Sequence, residues 1–190
     1  MTSQSANSSD DREILERFKA REPGVFASIF RAYYAQLVAI AWTILGERAT
    51  AEYVAQDVLL ELWRRRENIV LETSLRAYLV RATRNRALNH IRHERVARLS
   101  DPEGIRRIPE RTADRDLREE EIDAAVAQAV RELPAPCRDI FELSQIHMLR
   151  YAEIAKVLDI SIKTVEAQMG KALRALRERL APLLPAGGPE

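Results

Sequence analysis

Between Lys163 and Arg174 the side chains that could do chemistry recur at helical spacing: Lys163, Thr164, Ala167, Gln168, Lys171 and Arg174 share one face at 100° per residue. Lysine and arginine suit phosphate oxygens, and a glutamine carboxamide can address a base edge in a DNA groove. A second set is denser. Seven arginines (Arg76, Arg81, Arg84, Arg86, Arg92, Arg95 and Arg98) stand against a single acid, Glu94. Unopposed like charges repel one another, and nucleic-acid phosphate is the anion that would relieve them. The alternatives are a plain solvated helix and a face neutralised by acids elsewhere in the chain.

Other chemistry finds little support. His90 and His93 are neighbours on a helix face, yet a zinc site needs more ligands, and Cys137 and His147 are distant in sequence. Only six glycines are present and none clusters before a helix, so no phosphate-cradling loop is read. Cys137 reads as a packed small residue. No catalytic residue, metal or cofactor is expected, and the chain is not expected to be an enzyme.

The elements that must position these groups are helical throughout, because no alternating β-branched run is bounded by turn residues. Across 190 residues a hydrophobic content of 46% is ample for buried cores. The formal net charge of +1 hides a strong segregation. The basic run is followed, from Leu99 to Asp123, by nine acids and five arginines. That charged stretch holds Pro102, Gly104 and Pro109, so it reads as a linker between two small domains. The expected organisation is a disordered tail over 1–10, a first domain over 11–98, a linker over 99–121, a second domain over 122–182 and a second tail over 183–190.

In the second domain Ile154, Ala155 and Leu158 form the stripe of a short scaffold helix, Asp159 takes the turn, and Ser161 is the expected N-cap of the next helix. Opposite its polar face, Ile162, Val165, Met169, Leu173, Leu176 and Leu180 form the stripe expected to be buried. Together these make a helix-turn-helix. In the first domain Pro23 and Gly24 separate two helices, and a third begins near Thr50 or Ala51. Its Ala51, Val54, Ala55, Val58 and Leu62 make a core stripe, yet Tyr53, Gln56, Leu60 and Trp63 make a second one beside Asp57. Either another helix covers that side or it is a docking face for a partner protein. The arginine-rich helix shifts its apolar stripe from Leu75, Tyr78, Leu79 and Ala82 to Ala87, Leu88 and Ile91. It is either interrupted near Arg84 and Asn85 or changes neighbours there. No export signal is read in MTSQSANSSDD, and no apolar run approaches the roughly 20 residues that cross a bilayer. The single cysteine fits a reducing compartment, so a cytoplasmic protein without membrane insertion is expected.

Three stretches in this order, AEYVAQDVLLELWRR, LRAYLVRATRNRALNHIR and RELPAPCRDIFELSQIHMLRYAEIAKVLDISIKTVEAQMGKALRALRERL, resemble a bacterial RNA polymerase sigma factor of the extracytoplasmic-function (ECF) type, over about Arg12 to Leu180. The resemblance implies that Tyr53, Gln56, Asp57, Leu60 and Trp63 dock core RNA polymerase, through the clamp helices of its β′ subunit, with the β subunit a further contact. It implies that residues 67–74, with Asn85, capture an unstacked base of the −10 element. Arg76, Arg81, Arg84, Arg86, Arg92 and Arg95 would then hold promoter phosphates. The second helix of the helix-turn-helix would face the −35 element through Lys163, Thr164, Ala167, Gln168, Lys171 and Arg174. The sequence departs from the family pattern at Met148, Arg150, Asp159 and Gln168, and Tyr78 is the only aromatic in the arginine-rich segment. An anti-sigma protein is a further expected partner. The competing readings are a dimeric, polymerase-independent helix-turn-helix regulator and a helical adaptor that binds protein only.

Overall fold

The computed structural model describes residues 4–99 and 119–181. Among them are eight α-helices and no strand: α1 (Gln4–Lys19), α2 (Val25–Leu45), α3 (Arg48–Arg65), α4 (Leu75–Leu99), α5 (Glu119–Arg131), α6 (Ala135–Gln145), α7 (Tyr151–Leu158) and α8 (Ile162–Leu180). A 3-10 turn at Arg66–Asn68 follows α3. Helices α1 to α4 form one compact unit and α5 to α8 a second. The body of the expected linker and the C-terminal tail lie outside the described residues.

In the first unit α2 packs on both α3 and α4. Gly24 and Gly46 flank α2 in the left-handed conformation, at φ of 85° and 70°, where a side chain would cost energy. Along α2, Phe26, Phe30 and Tyr34 recur every four residues and make a ridge, with ring centroids 6.4 Å and 4.7 Å apart in turn. Leu15 and Phe18 of α1, Leu37 of α2, Leu59 and Leu62 of α3 and Leu79 of α4 fill the core. Leu59 joins the stripe expected for α3. By length and composition α2 could cross a membrane, which corrects the expectation that no run approached that size. Here its apolar content covers α3 and α4.

Two expected boundaries also move. α1 starts at Gln4, inside the stretch expected to be a disordered tail; residues 4–10 contain neither glycine nor proline, so nothing stops the helix from extending. α5 starts at Glu119, three residues ahead of the expected domain edge. α4 runs through Arg84 and Asn85 without a break, so its shift of stripe is a change of neighbours. Leu75, Leu79 and Val80 are buried in its first half, and Ala87 is the last buried side chain among those described, up to Glu94.

In the second unit α8 contacts α5, α6 and α7. The turn between α7 and α8 forms as the residue types require. Asp159 sits at φ 56°, ψ 49°, and Ile160 N–H bonds back to Ala155 O at 2.9 Å. Ser161 Oγ accepts the Thr164 N–H at 3.1 Å, capping α8. Ser161→Ala is expected to destabilise this unit by about 1 kcal/mol, read as faster hydrogen exchange of the α8 amides with α4 unaffected. The buried stripe of α8 is Val165, Met169, Ala172 and Leu176, whereas Ile162 and Leu173 are exposed. This corrects the expected stripe: spacings of four, three and four residues keep Ala172 on the contact line, and Leu173, 100° on from Ala172, falls outside it.

Candidate functional site

On α3, Tyr53 and Leu60 are 65% and 47% exposed, one helical face apart from the buried Val54, Val58 and Leu62. Gln56 lies between them, exposed, with its Nε2 3.4 Å from the Tyr34 hydroxyl. Two apolar side chains with a polar neighbour, held on a helix whose back is locked into a core, have the makeup of a protein-docking patch. Trp63 lies beside it, half-buried. Its ring lies 5.7 Å from Phe18 and 5.2 Å from Phe26, and the Arg66 guanidinium stacks 4.5 Å above it. The rings of α1 and α2 thus cover part of Trp63, while Tyr53 and Leu60 stay open.

Asp57, half-buried on the edge of this patch, forms an ion pair with Arg86 of α4. The expected phosphate contact Arg86 is thus committed within the unit. Arg86 itself stays exposed, whereas Arg76 is half-buried and hydrogen-bonded to Tyr33, whose hydroxyl pKa is pushed up mainly by burial and further by the Asp11 carboxylate, with Arg76 acting the other way. At 100° per residue Arg81, Arg84, Asn85 and Arg92 share a different side of α4. Arg81, Asn85 and Arg92 are exposed there and Arg84 is half-buried. Arg92 Nη1 donates to Asn89 Oδ1 at 3.0 Å, within the same helix. The Arg95 side chain lies outside the described residues.

On α8, Lys163, Thr164, Ala167, Lys171 and Arg174 are all exposed. They form a polar arc opposite Val165, Met169, Ala172 and Leu176. Gln168 sits at the edge of the arc, half-buried, and its Oε1 accepts the Cys137 thiol at 3.1 Å. This turns part of the carboxamide towards α6 and away from the groove-facing arc. At the start of α7, where the sequence departs from the family pattern at Met148 and Arg150, Arg150 is the N-cap. Glu153, 5% exposed, accepts the Arg150 N–H at 2.9 Å and holds the Arg150 side chain at 3.4 Å.

Several positioning groups escaped the reading of the sequence. Asp11 Oδ2 accepts the Leu75 N–H at 3.0 Å, and Arg21 pairs with Glu67 at 2.8 Å. Neither contact leaves a local signal, because the partners are 64 and 46 residues apart. Among the described residues no group of three or more His, Cys, Asp or Glu could hold a metal ion.

Two family models match the chain: sigma-70 region 2 over residues 29–96, the unit carrying α3 and α4, and sigma-70 region 4 over 123–176, the unit carrying the helix-turn-helix. The RNA polymerase sigma-H factor of Pseudomonas aeruginosa is 24% identical over 188 residues, covering 92% of this chain and 95% of the relative. The ECF RNA polymerase sigma factor SigL of Mycobacterium tuberculosis is 29% identical over 168 residues, covering 83% and 92%. The fold is shared with the sigma factor RpoE of Bartonella quintana, solved in complex with the anti-sigma factor NepR, at a TM-score of 0.61 and 22% identity, over 83% of this chain and 98% of that one. A four-helix unit and a helix-turn-helix unit, each matching its sigma-70 region and in that order along a chain similar to its relatives over nearly their full length, make this protein a bacterial sigma factor of the extracytoplasmic-function type, which directs RNA polymerase to initiate transcription at specific promoters.

Proposed function

We propose that the first unit docks on the clamp helices of the core polymerase β′ subunit through Tyr53, Gln56 and Leu60, with Asp57 at the rim. What carries this reading is the pair Tyr53 and Leu60, exposed on a helix whose opposite face is fully committed to the core. The segment 67–74 and Asn85 receive an unstacked base of the −10 element, and Arg81, Arg84 and Arg92 hold the neighbouring phosphates. Extruding a base costs a few kcal/mol, which contacts to the base and its flanking backbone must offset. Arg76 and Arg86 support this surface from within the unit. In the second unit Lys163, Lys171 and Arg174 contact −35 phosphates, Thr164 and Ala167 line the groove, and Gln168 has its amide end for a base edge. The protein works in the cytoplasm and catalyses nothing by itself.

The test mixes the full chain with core polymerase. A sigma factor co-elutes in a one-to-one complex and starts transcription from selected promoters only in that complex. A dimer that binds duplex DNA tightly without polymerase would establish the competing regulator reading.

An anti-sigma protein that covers the α3 face is the second part of the proposal, supported by the exposed Tyr53 and Leu60 and by the likeness to RpoE, a sigma factor solved with its anti-sigma factor. Such a protein would compete with core polymerase. The expected result is that a co-purified regulator is displaced by excess core, and that Leu60→Ala weakens both complexes.

A further inference from the structure

The stretch between α3 and α4 is short, yet it is tied down at both ends by residues of α1 and the turn after it. At its entry, Arg21 Nη2 lies 2.8 Å from Glu67 Oε1, and this guanidinium is the main cause holding the Glu67 carboxyl below the usual range. In its middle Ile69 is buried in the core while Val70 points out, 80% exposed. At its exit Asp11 Oδ2 accepts the Leu75 N–H at 3.0 Å, and the buried Ser74 accepts the Ala77 N–H at 3.1 Å. The first turn of α4 is therefore capped twice, once by its own chain and once by a carboxylate from α1, and a carboxylate is the better partner for the positive end of a helix. Ile69 and Leu75 anchor the segment in the core, while a pocket of about 380 Å³ bordered by Ile14, Val25, Ile29, Tyr33 and Leu75 lies beside the junction. The polar contacts act together with this packing to fix where α4 starts.

We infer that Asp11 and Arg21 are positioning residues for −10 recognition: they hold the two ends of the 67–74 segment in the geometry that receives the extruded base. The inference rests on the reading that this segment captures that base. Of the two anchors Asp11 carries more, since Arg21 and Glu67 are each 62% exposed and an exposed pair contributes little. Glu67 and Leu75 fix the ends of the segment, leaving Val70 as its outward tip. Losing either anchor lets the tip sample more conformations, and binding a base must then restrict them again.

The experiment uses holoenzyme assembled from the full chain and core polymerase. The probe is a fluorescent single-stranded oligonucleotide carrying the non-template −10 sequence of a promoter mapped for this factor. Asp11→Ala is expected to weaken oligonucleotide binding by about three- to tenfold, the range of a lost helix cap, with affinity for core unchanged. Asp11→Asn, which keeps an acceptor oxygen, should recover most of it. Arg21→Glu and Glu67→Arg should each weaken binding, and the double exchange should restore it to within about twofold. The inference is overturned if Asp11→Ala leaves oligonucleotide binding intact, or if core affinity falls in parallel, which would mark a general loss of fold. Val70→Asp and Asn85→Ala separate the two claims. If these bind the probe normally, the base-capture reading itself fails; if they lose it while the Asp11 and Arg21 variants do not, only the anchoring fails.

Discussion

Trp63→Ala is expected to destabilise the first unit by about 3 kcal/mol, while Leu60→Ala leaves its stability nearly unchanged and weakens attachment to core polymerase about thirtyfold. The two side chains lie three residues apart on α3, and from sequence they belong to one stripe. Trp63, however, makes tilted and edge-on contacts with Phe26 and Phe18 and lies under Arg66. Removing it opens a cavity between α1, α2 and α3 that surrounding rings cannot refill. Its partial exposure places the cost at the lower end of the range for a large aromatic. Leu60, 47% exposed, has far less burial within the chain to lose. What it forfeits is burial against a partner, of order 2 kcal/mol for an interface anchor. Tyr53→Ala should behave as Leu60→Ala does. The chain holds two tryptophans, Trp42 and Trp63, both in the first unit. Trp42 fluorescence therefore reports unfolding of that unit alone in the Trp63 variant. Normal stability with lost core binding in Trp63→Ala would return that residue to the docking face.

How far the sequence carried the structure depended on how far apart the deciding residues lay. Ser161 and Asp159 were readable because a cap and a left-handed turn are local matters, settled by residues within one turn of each other. The helix-turn-helix and the α3 core stripe were readable for the same reason. The inward turn of Trp63 was not, because it depends on Phe18 and Phe26, residues of other helices whose ridge needs a cover. The buried stripe of α8 went astray at Leu173 through a preference for large side chains. At the contact with α5 and α6 the structure places Ala172 beside Ala129, Leu133 and Cys137, where a small residue permits close packing. The roles of Arg86 and Gln168 were hidden most completely. An arginine in a basic row and a glutamine on a polar arc carry no mark that Asp57 and Cys137 have claimed them.

That division of the arginines makes a second large effect predictable. Replacing Arg81 and Arg92 together by alanine is expected to make the salt dependence of −10 strand binding shallower by about 1.4, from two single-strand phosphate contacts at about 0.7 each. Stability of the first unit should be unaffected, since neither side chain reaches beyond its own helix in any contact described above. Arg86→Ala should give the opposite signature. It leaves the salt slope unchanged, because a guanidinium already paired with Asp57 releases few counterions from DNA, and it costs stability of about 1 kcal/mol, a figure reduced for the partial exposure of the pair. It should also weaken core binding modestly, because Asp57 borders the Tyr53 and Leu60 patch and loses the partner that fixes its direction. Asp57→Ala with Arg86→Ala then forms a cycle: if the pair is a strut between α3 and α4, the double variant is less destabilised than the sum of the two single ones. Additive losses, or a slope that falls with Arg86→Ala, would put Arg86 back among the phosphate contacts. The charge density of α4 therefore holds two populations that one sequence run merges: Arg81 and Arg92, exposed and proposed here as the DNA contacts, and Arg76 and Arg86, paired with Tyr33 and Asp57 of neighbouring helices.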